Sequence, residues 1–178
     1  MSGSASKRMN LEPFNEREFR AAAGQFCTGV TVVTGFDADK PCGFAAQSFV
    51  SVSLDPPLVA ICVAQTSSTW PRMRRGGRFC INILAADQQQ ICSLFGRSGD
   101  DRFASCLWNP GPAGLPVLAG ILGFIECELT AEHLAGDHTM AVGAVLSCRI
   151  IDPERGPLLF FRSGYGKFAP ANICTLGA

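Results

Sequence analysis

GFAAQSFVSVSLDPPLVAICV, residues Gly43 to Val63, contains two strands and a corner. Val50, Val52 and Leu54 alternate with Ser51 and Ser53, the two-residue period of a strand with one apolar and one hydroxyl-lined face. Asp55-Pro56-Pro57 ends that strand, because neither proline has an N–H for a ladder and both favour extended or turned backbone. Leu58 to Val63 follows as an apolar run of strand length, which suits a strand buried on both faces. Its neighbour then turns a serine face toward a site.

The 178 residues suit one domain with a substantial core. It is expected to occupy residues 14–170, between a disordered tail over 1–13 and a short tail over 171–178. Lys+Arg and Asp+Glu are equal at 15 each, so no net field draws the chain to nucleic acid or an anionic membrane, and neither is expected as a partner. Hydrophobic residues make up 47% and charged residues 17%, an apolar surplus that a second subunit would cover. The nine cysteines are odd in number, with no pair closer than the 12 residues between Cys80 and Cys92, which fits neither a disulfide framework nor a Cys-x-x-Cys clip. Reduced structural thiols in a cytoplasmic protein are the expectation, with Cys62, Cys80 and Cys127 acting as small hydrophobes inside strands. Met1 to Asn10 lacks the apolar centre of a signal peptide, and no segment approaches the roughly 18 apolar residues of a membrane span.

Outward from the opening stretch, Phe14 to Phe19 carries a helix start, with Asn15 as cap, Glu18 reaching back and Phe14 stapled to Phe19. The helix stops near Gly24. Gly29 to Gly35 alternates as a strand, Phe36 to Pro41 turns, and Cys42 to Ala46 returns as the other arm of a hairpin. After Val63, Gln65 to Thr69 is a hydroxyl-rich loop, and Trp70 to Arg75 reads as a short helix begun by Ser68 or Thr69. Phe79 to Leu84 is a strand, and Asp87 with Gln90 marks a capping box for a helix over Gln88 to Phe95. Gly96 to Gly114 reads as irregular and mobile, with a possible helical turn over Asp100 to Phe103. Ile121 to Leu134 and Thr139 to Ile151 form a long hairpin about Ala135-Gly136-Asp137-His138, and Pro157 to Phe161 adds a last strand. Many strands and few helices argue for a closed antiparallel barrel with helical covers.

Few residues announce chemistry. There is no phosphate-binding P-loop and no nucleophile elbow. Gly164-x-Gly166-x-x-Ala169 matches a dinucleotide fingerprint as a string, but the proline after it leaves no room for the helix that motif needs. Glu126 and Glu128 share a strand face and are expected to be solvated rather than paired for acid–base work. His133, Asp137 and His138 lack the spacing of a metal pair. Thr66-Ser67-Ser68-Thr69 before a helix suits a phosphate, with Arg72, Arg74 and Arg75 to neutralise it, yet ordinary capping needs only one such hydroxyl. The residues alone leave both alternatives standing.

Several of these pieces together resemble the flavin reductase-like family of FMN-binding split-barrel proteins, the reductase components of two-component flavin monooxygenases. They are Ser48 to Val59, Phe26 to Thr34, Ser67-Ser68-Thr69, Phe79 to Leu84, Asp101-Arg102-Phe103, Glu126-Cys127-Glu128 and Gly136-Asp137-His138, spanning roughly residues 17 to 168. The resemblance implies a homodimeric antiparallel split barrel that reduces FMN or FAD with NADH or NADPH and supplies reduced flavin to a separate oxygenase. It implies that Ala45, Ala46, Gln47, Ser48 and Phe49 run along the flavin ring, and that Cys62, Val63, Ala64, Ser67, Ser68 and Thr69 hold its ribityl chain and phosphate. Asn82, Arg102 and Phe103 approach the same cofactor, Gly136, Asp137 and Tyr165 complete its surroundings, and His138 lies where nicotinamide docks. Ala45 and Gln47 stand where the family often carries threonine and asparagine. A non-catalytic flavin- or haem-binding carrier is the alternative, against which Gly136-Asp137-His138 speaks.

Overall fold

The computed structural model describes residues 14–97, 99 and 102–169. The expected tails over 1–13 and 171–178, and Asp100 and Asp101 of the expected helical turn, lie outside the described residues. In chain order the elements are α1 (Glu16–Ala23), β1 (Thr28–Gly29), β2 (Thr31–Asp37), β3 (Lys40–Ala46), β4 (Val50–Leu54), β5 (Pro57–Ala64), α2 (Trp70–Met73), β6 (Arg78–Ile83), α3 (Gln89–Phe95), β7 (Trp108–Pro110), β8 (Pro116–Leu118), β9 (Gly123–Ala135), β10 (His138–Ile150), β11 (Leu158–Phe161) and β12 (Gly164–Lys167). The start of α1 carries the full capping box. Asn15 Oδ1 accepts from the Glu18 N–H at 3.0 Å, and the Glu18 carboxylate accepts from the Asn15 N–H at 2.9 Å. The Phe14 and Phe19 rings lie 6.1 Å apart over this turn.

Seven strands pair antiparallel in the order β3-β2-β6-β9-β10-β5-β4. Strands β3 and β4 are consecutive in the chain yet form opposite edges. Laid flat, six gaps of about 4.8 Å would put those edges about 29 Å apart. Gln47 to Phe49, the whole link between them, spans at most about 14 Å from Ala46 to Val50. The sheet therefore curls until its edges nearly meet. No ladder joins β3 to β4 among the described residues, so the expected closed barrel is not formed: the link runs across the gap, not along a partner strand.

Curling gives the sheet an inner and an outer core. Val33, Phe79, Ile81, Cys127, Ala141, Val59, Ile61 and Val63 converge on one side, closed at one end by Trp70 and Met73 of α2. Val32, Cys80 and Phe124 point the other way, to Phe95 of α3, Leu115, Leu118, Ile121 and Leu158. Alternation along β2 and β6 thus buries both faces, as it does through most of β5.

Strand β4 departs from the sequence expectation. Val50, Val52 and Leu54 are 51%, 52% and 89% exposed, so among the described residues its apolar face is left largely uncovered. The register slips between Ser51 and Ser53, and neither serine lines the cavity formed where the ends of β3, β5 and β10 meet. An edge strand with one neighbour has no inside of its own. The stretch after Gly96, expected to be irregular, contains the β7–β8 ribbon, where Trp108 meets Phe36 and Phe103 edge to face at 6.2 and 6.0 Å. Strands of three residues are too short to show a period. Strand β12 was equally invisible, because its turn uses Arg162 and Ser163 at φ 47° and 64° in place of the usual Asn-Gly. Helix α3 begins without the expected box: Gln88 holds the cap position and Asp87 pairs instead with Arg155.

Glu126 corrects another expectation. It is wholly buried, whereas Glu128 is exposed. Its carboxylate accepts from the N–H groups of Ala113 and Leu115 at 2.8 and 3.0 Å and from the Ser147 hydroxyl at 2.5 Å. The segment after Gly111 folds down over β9 and covers this end of the strand face, which no pattern within β9 records.

Candidate active site

A cavity of about 410 Å³ opens where the crossing link meets the ends of β3, β5 and β10, within the usual size of a small-molecule site. Its position follows from one side chain. Where β4 leaves the β5 ladder, the Ser48 hydroxyl donates to the Cys62 carbonyl and accepts from the Cys62 N–H, both at 2.9 Å. Since Val50 faces Ala60 in the ladder, Ser48 continues that register with its side chain standing in for backbone. The link is pinned, with Gln47 at the cavity wall and Phe49 turned to the inner core.

The walls are small and mainly apolar: Val30, Phe44, Ala45, Ala46, Val63 and Ala64, with Gln47, Ser48, Cys62, Ser67, Cys92 and His138 adding polar groups. At one end Phe44 packs against Trp70 at 6.2 Å, and the Trp70 N–H donates to Ser67 Oγ at 3.2 Å, so the hydroxyl loop lies at the Phe44 end. The turn between β9 and β10 is clamped to the exit of β5, because the Gln65 N–H donates to the Asp137 carbonyl at 2.9 Å and the Gln65 amide to the Gly136 carbonyl at 3.0 Å. That clamp sets His138 opposite Ala64 in the ladder and at the cavity rim. His138 Nδ1 lies 2.7 Å from Asp137 Oδ1, and this bond holds the Asp137 carboxyl below its ordinary range. The bonded carboxylate fixes the ring and leaves Nε2 uncommitted.

Of the residues anticipated from sequence, Ala45, Ala46, Gln47, Ser48, Cys62, Val63, Ala64, Ser67 and His138 are brought together around this cavity. Gly136 and Asp137 form the adjoining turn, Gly136 at φ 64°. Phe49, the last residue of the link, packs on the inner core. Thr69, Arg102 and Phe103 line a smaller cavity of about 200 Å³ with Lys40 and Arg72. The carbonyl of Ser68 accepts from Arg72 Nε at 3.1 Å. Asn82 is wholly buried, its carboxamide donating to Val32 O and Thr34 Oγ1 and accepting from the Leu118 N–H. The Tyr165 hydroxyl meets Cys92 Sγ at 3.2 Å behind the wall, and that contact, more than burial, pushes its pKa up. Val30, Phe44 and Cys92 were not anticipated; Val30 and Phe44 sat in strand patterns, and Cys92 arrives from α3 with no local signal.

Three details differ from expectation. Thr69 holds the cap position of α2, as expected, but its side chain makes no cap bond, and the Ser67 hydroxyl accepts from the Trp70 N–H in its place. The arginines beside it face carboxylates: Arg75 and Arg72 meet Asp37 at 2.7 and 3.9 Å, and Arg74 meets Glu132 at 3.0 Å. Cys62 is exposed to the cavity and is not a core thiol, unlike Cys80 and Cys127. Among the described residues, no group of three His, Cys, Asp or Glu side chains is arranged to hold a metal ion, and no helix is long and apolar enough to cross a membrane.

A pocket with several small apolar side chains, a hydroxyl loop at one end and an oriented imidazole at the rim suits a heterocycle with a polar tail. Over residues 23–169 the chain matches the family described as Flavin reductase like domain, and it belongs to that family. It is 46% identical over 159 residues to the reductase subunit HsaB of a flavin-dependent monooxygenase from Rhodococcus jostii, covering 89% of this chain and 81% of the relative. An FMN reductase (NADH) of Agrobacterium fabrum is 43% identical, with 87% of each chain covered. Among solved structures, a nitrilotriacetate monooxygenase component B homolog from Mycobacterium thermoresistibile superposes with a TM-score of 0.84 at 42% identity, over 88% of both chains. An NADH:FAD oxidoreductase of Streptomyces globisporus in complex with NAD and FAD fragments gives 0.81 at 34%, over 91% of this chain and 99% of the other.

Ser48→Ala removes the acceptor of the Cys62 N–H, so amide exchange at Cys62 should rise sharply and stability fall by about 1–2 kcal/mol. Unchanged exchange at that amide would refute the pin. The thiols carry a pH dependence. Burial pushes Cys42 up from 9.0 to about 11 and Cys127 up to about 12. The folded chain thus holds these protons more tightly than the unfolded one, so the associated stability is full below pH about 9 and drains as pH rises toward 12. Urea midpoints measured in reductant should fall between pH 8.5 and about 10.5; a flat profile contradicts the assignment.

Proposed function

We propose that this protein reduces FMN or FAD with NADH or NADPH and passes the reduced flavin to a separate oxygenase component. The single observation that carries this reading is the 410 Å³ cavity, with its small alanine-rich walls, hydroxyl loop and rim histidine. Family membership agrees with it, as do the relatives described as reductase subunits. In this reading the curled sheet is the family's split barrel, and residues 14–170 make one domain.

A bound flavin supplies the hydride-accepting chemistry, and the chain supplies geometry and charge placement. The walls fit such a ring because Ala45, Ala46 and Ala64 leave a planar space and offer backbone donors and acceptors along its edge. Gln47, Ser48 and Phe49 continue that edge, with Ser48 fixing the loop. Cys62, Val63, Ser67, Ser68 and Thr69 border the ribityl chain and phosphate, while Arg102 and Phe103 extend toward the polar tail. Asn82 and Tyr165 act from behind the wall, Asn82 by holding Leu118 and Tyr165 by holding Cys92. His138, oriented by Asp137 and backed by the Gly136 turn, binds the nicotinamide from the rim. Closing such a site over its contents excludes water, which strengthens each polar contact.

The protein is proposed to act as a cytoplasmic homodimer. Val50, Val52 and Leu54 on the edge strand support this, being exposed on a backbone that already presents unpaired groups. Light scattering of the purified chain should give twice the monomer mass, and Val52→Lys should lower it. A monomeric wild-type protein would remove the dimer from this reading. For the activity, anaerobic mixing with flavin and NADH or NADPH should bleach the visible flavin band. Bleaching with neither donor sinks the reductase reading and favours the carrier. His138→Ala should slow bleaching by about tenfold or more, with a smaller effect on flavin affinity; loss of affinity alone would refute its role.

A further inference from the structure

The hydroxyl loop and the β9–β10 hairpin are tied together both inboard of the tip and at the tip itself. Inboard, Glu132 of β9 accepts from Trp70 Nε1 at 2.8 Å and from Arg74 Nη1 at 3.0 Å, so α2 is held against the hairpin. At the tip, the Gln65 N–H donates to the Asp137 carbonyl at 2.9 Å and the Gln65 side-chain amide to the Gly136 carbonyl at 3.0 Å. The backbone bond continues the ladder past the Ala64–His138 pair, and any residue but proline would make it. The side-chain bond is particular to Gln65. Its acceptor belongs to the peptide between Gly136 and Asp137, in a turn where Gly136 takes φ 64°, the glycine-first arrangement of a type II′ hairpin. Types II′ and I′ differ mainly in the direction of that central peptide, so a donor fixed on its carbonyl selects one of them. His138 follows this turn directly and reaches the cavity rim, with Nδ1 2.7 Å from Asp137 Oδ1.

Gln65 does not line the cavity, yet the cavity wall encloses it in sequence. Ala64 before it and Ser67 after it both face the cavity, and the Ser67 N–H donates to the Ala64 carbonyl at 2.9 Å, closing a tight turn with Gln65 inside it. A ligand that touches Ala64 and Ser67 therefore bears on both ends of the turn from which Gln65 reaches across. Gln65 is exposed, so in the empty site water competes for the Gly136 carbonyl and the bond adds little by itself. Resting on the flavin-reductase reading, we propose that Gln65 is a positioning residue for the reaction: its carboxamide fixes the turn that carries His138, and its place between Ala64 and Ser67 makes that turn firmer when flavin is bound. Flavin occupancy then prepares the rim for the hydride donor, and linkage requires the donor to favour flavin binding by the same factor.

The test compares the full wild-type chain with Gln65→Met, which keeps the length of the side chain and loses its donor. Amide exchange over residues 134–139 is read by mass spectrometry with and without flavin, in the absence of any hydride donor. Flavin should slow exchange there in wild type and have no such effect in Gln65→Met. Equal protection by flavin in both chains, or none in wild type, overturns the coupling. In anaerobic reduction of the flavin-loaded chain, Gln65→Met should raise the NADH or NADPH concentration for half-maximal rate by about three- to tenfold, the worth of one hydrogen bond. The maximal rate, the flavin affinity and the melting temperature should stay nearly unchanged. An unchanged half-saturation, or a loss confined to the maximal rate or to flavin affinity, rules out the positioning role. Wild type that is reduced by neither donor removes the flavin-reductase reading, whereas the exchange result is read without turnover, so the two failures are distinguishable.

Discussion

Three residues, Gln47 to Phe49, must carry the chain from one edge of a seven-stranded sheet to the other. That distance constraint governs the molecule. It forces the sheet to curl, separates an inner core from an outer one, and leaves a gap between β3 and β4 where a cavity forms. The Ser48 hydroxyl resolves the local problem at the gap by bonding both backbone groups of Cys62. Without it those two groups would face the cavity edge with no backbone partner on that side. The same contact that completes the ladder also shapes the pocket.

Buried polar groups do comparable work on the outer side. Glu126 and Asn82 stand on adjacent strands and reach into the segment between Gly111 and Leu118, each binding backbone N–H groups there. Thr34 extends the set, bonding the Pro116 carbonyl at 2.5 Å and accepting from Asn82. A segment rich in glycine and proline has little periodicity with which to hold itself, so its shape is imposed by side chains from the sheet. Gly111 allows the close approach: a Cβ there would meet Glu126 Oε1 at 2.6 Å. Satisfied buried networks of this kind specify one arrangement, because any alternative leaves a charged or amide group without a partner.

The cavity is electrostatically quiet. The three arginines after the hydroxyl loop face Asp37 and Glu132, and the Asp137–His138 pair sits at the rim. Such a site suits chemistry carried by a bound cofactor, where placement counts more than a strongly perturbed acid or base.

The strands of the main hairpins, the capping box of α1 and the turn at Gly136 were legible from residue order, because alternation, capping and turn chemistry act within a few residues. The cluster Ala45 to Ser48, Cys62 to Ala64, Ser67 and His138 was legible through its resemblance to a family. Three things were not: the exposure of Val50, Val52 and Leu54, the burial of Glu126, and the arrival of Cys92 at the cavity wall. Each depends on which distant segment covers a given face, and a periodic pattern states only that a face exists. Local sequence therefore determined the elements and their alternation. The curl of the sheet, through a short link between its far edges, decided which faces became core, cavity or surface.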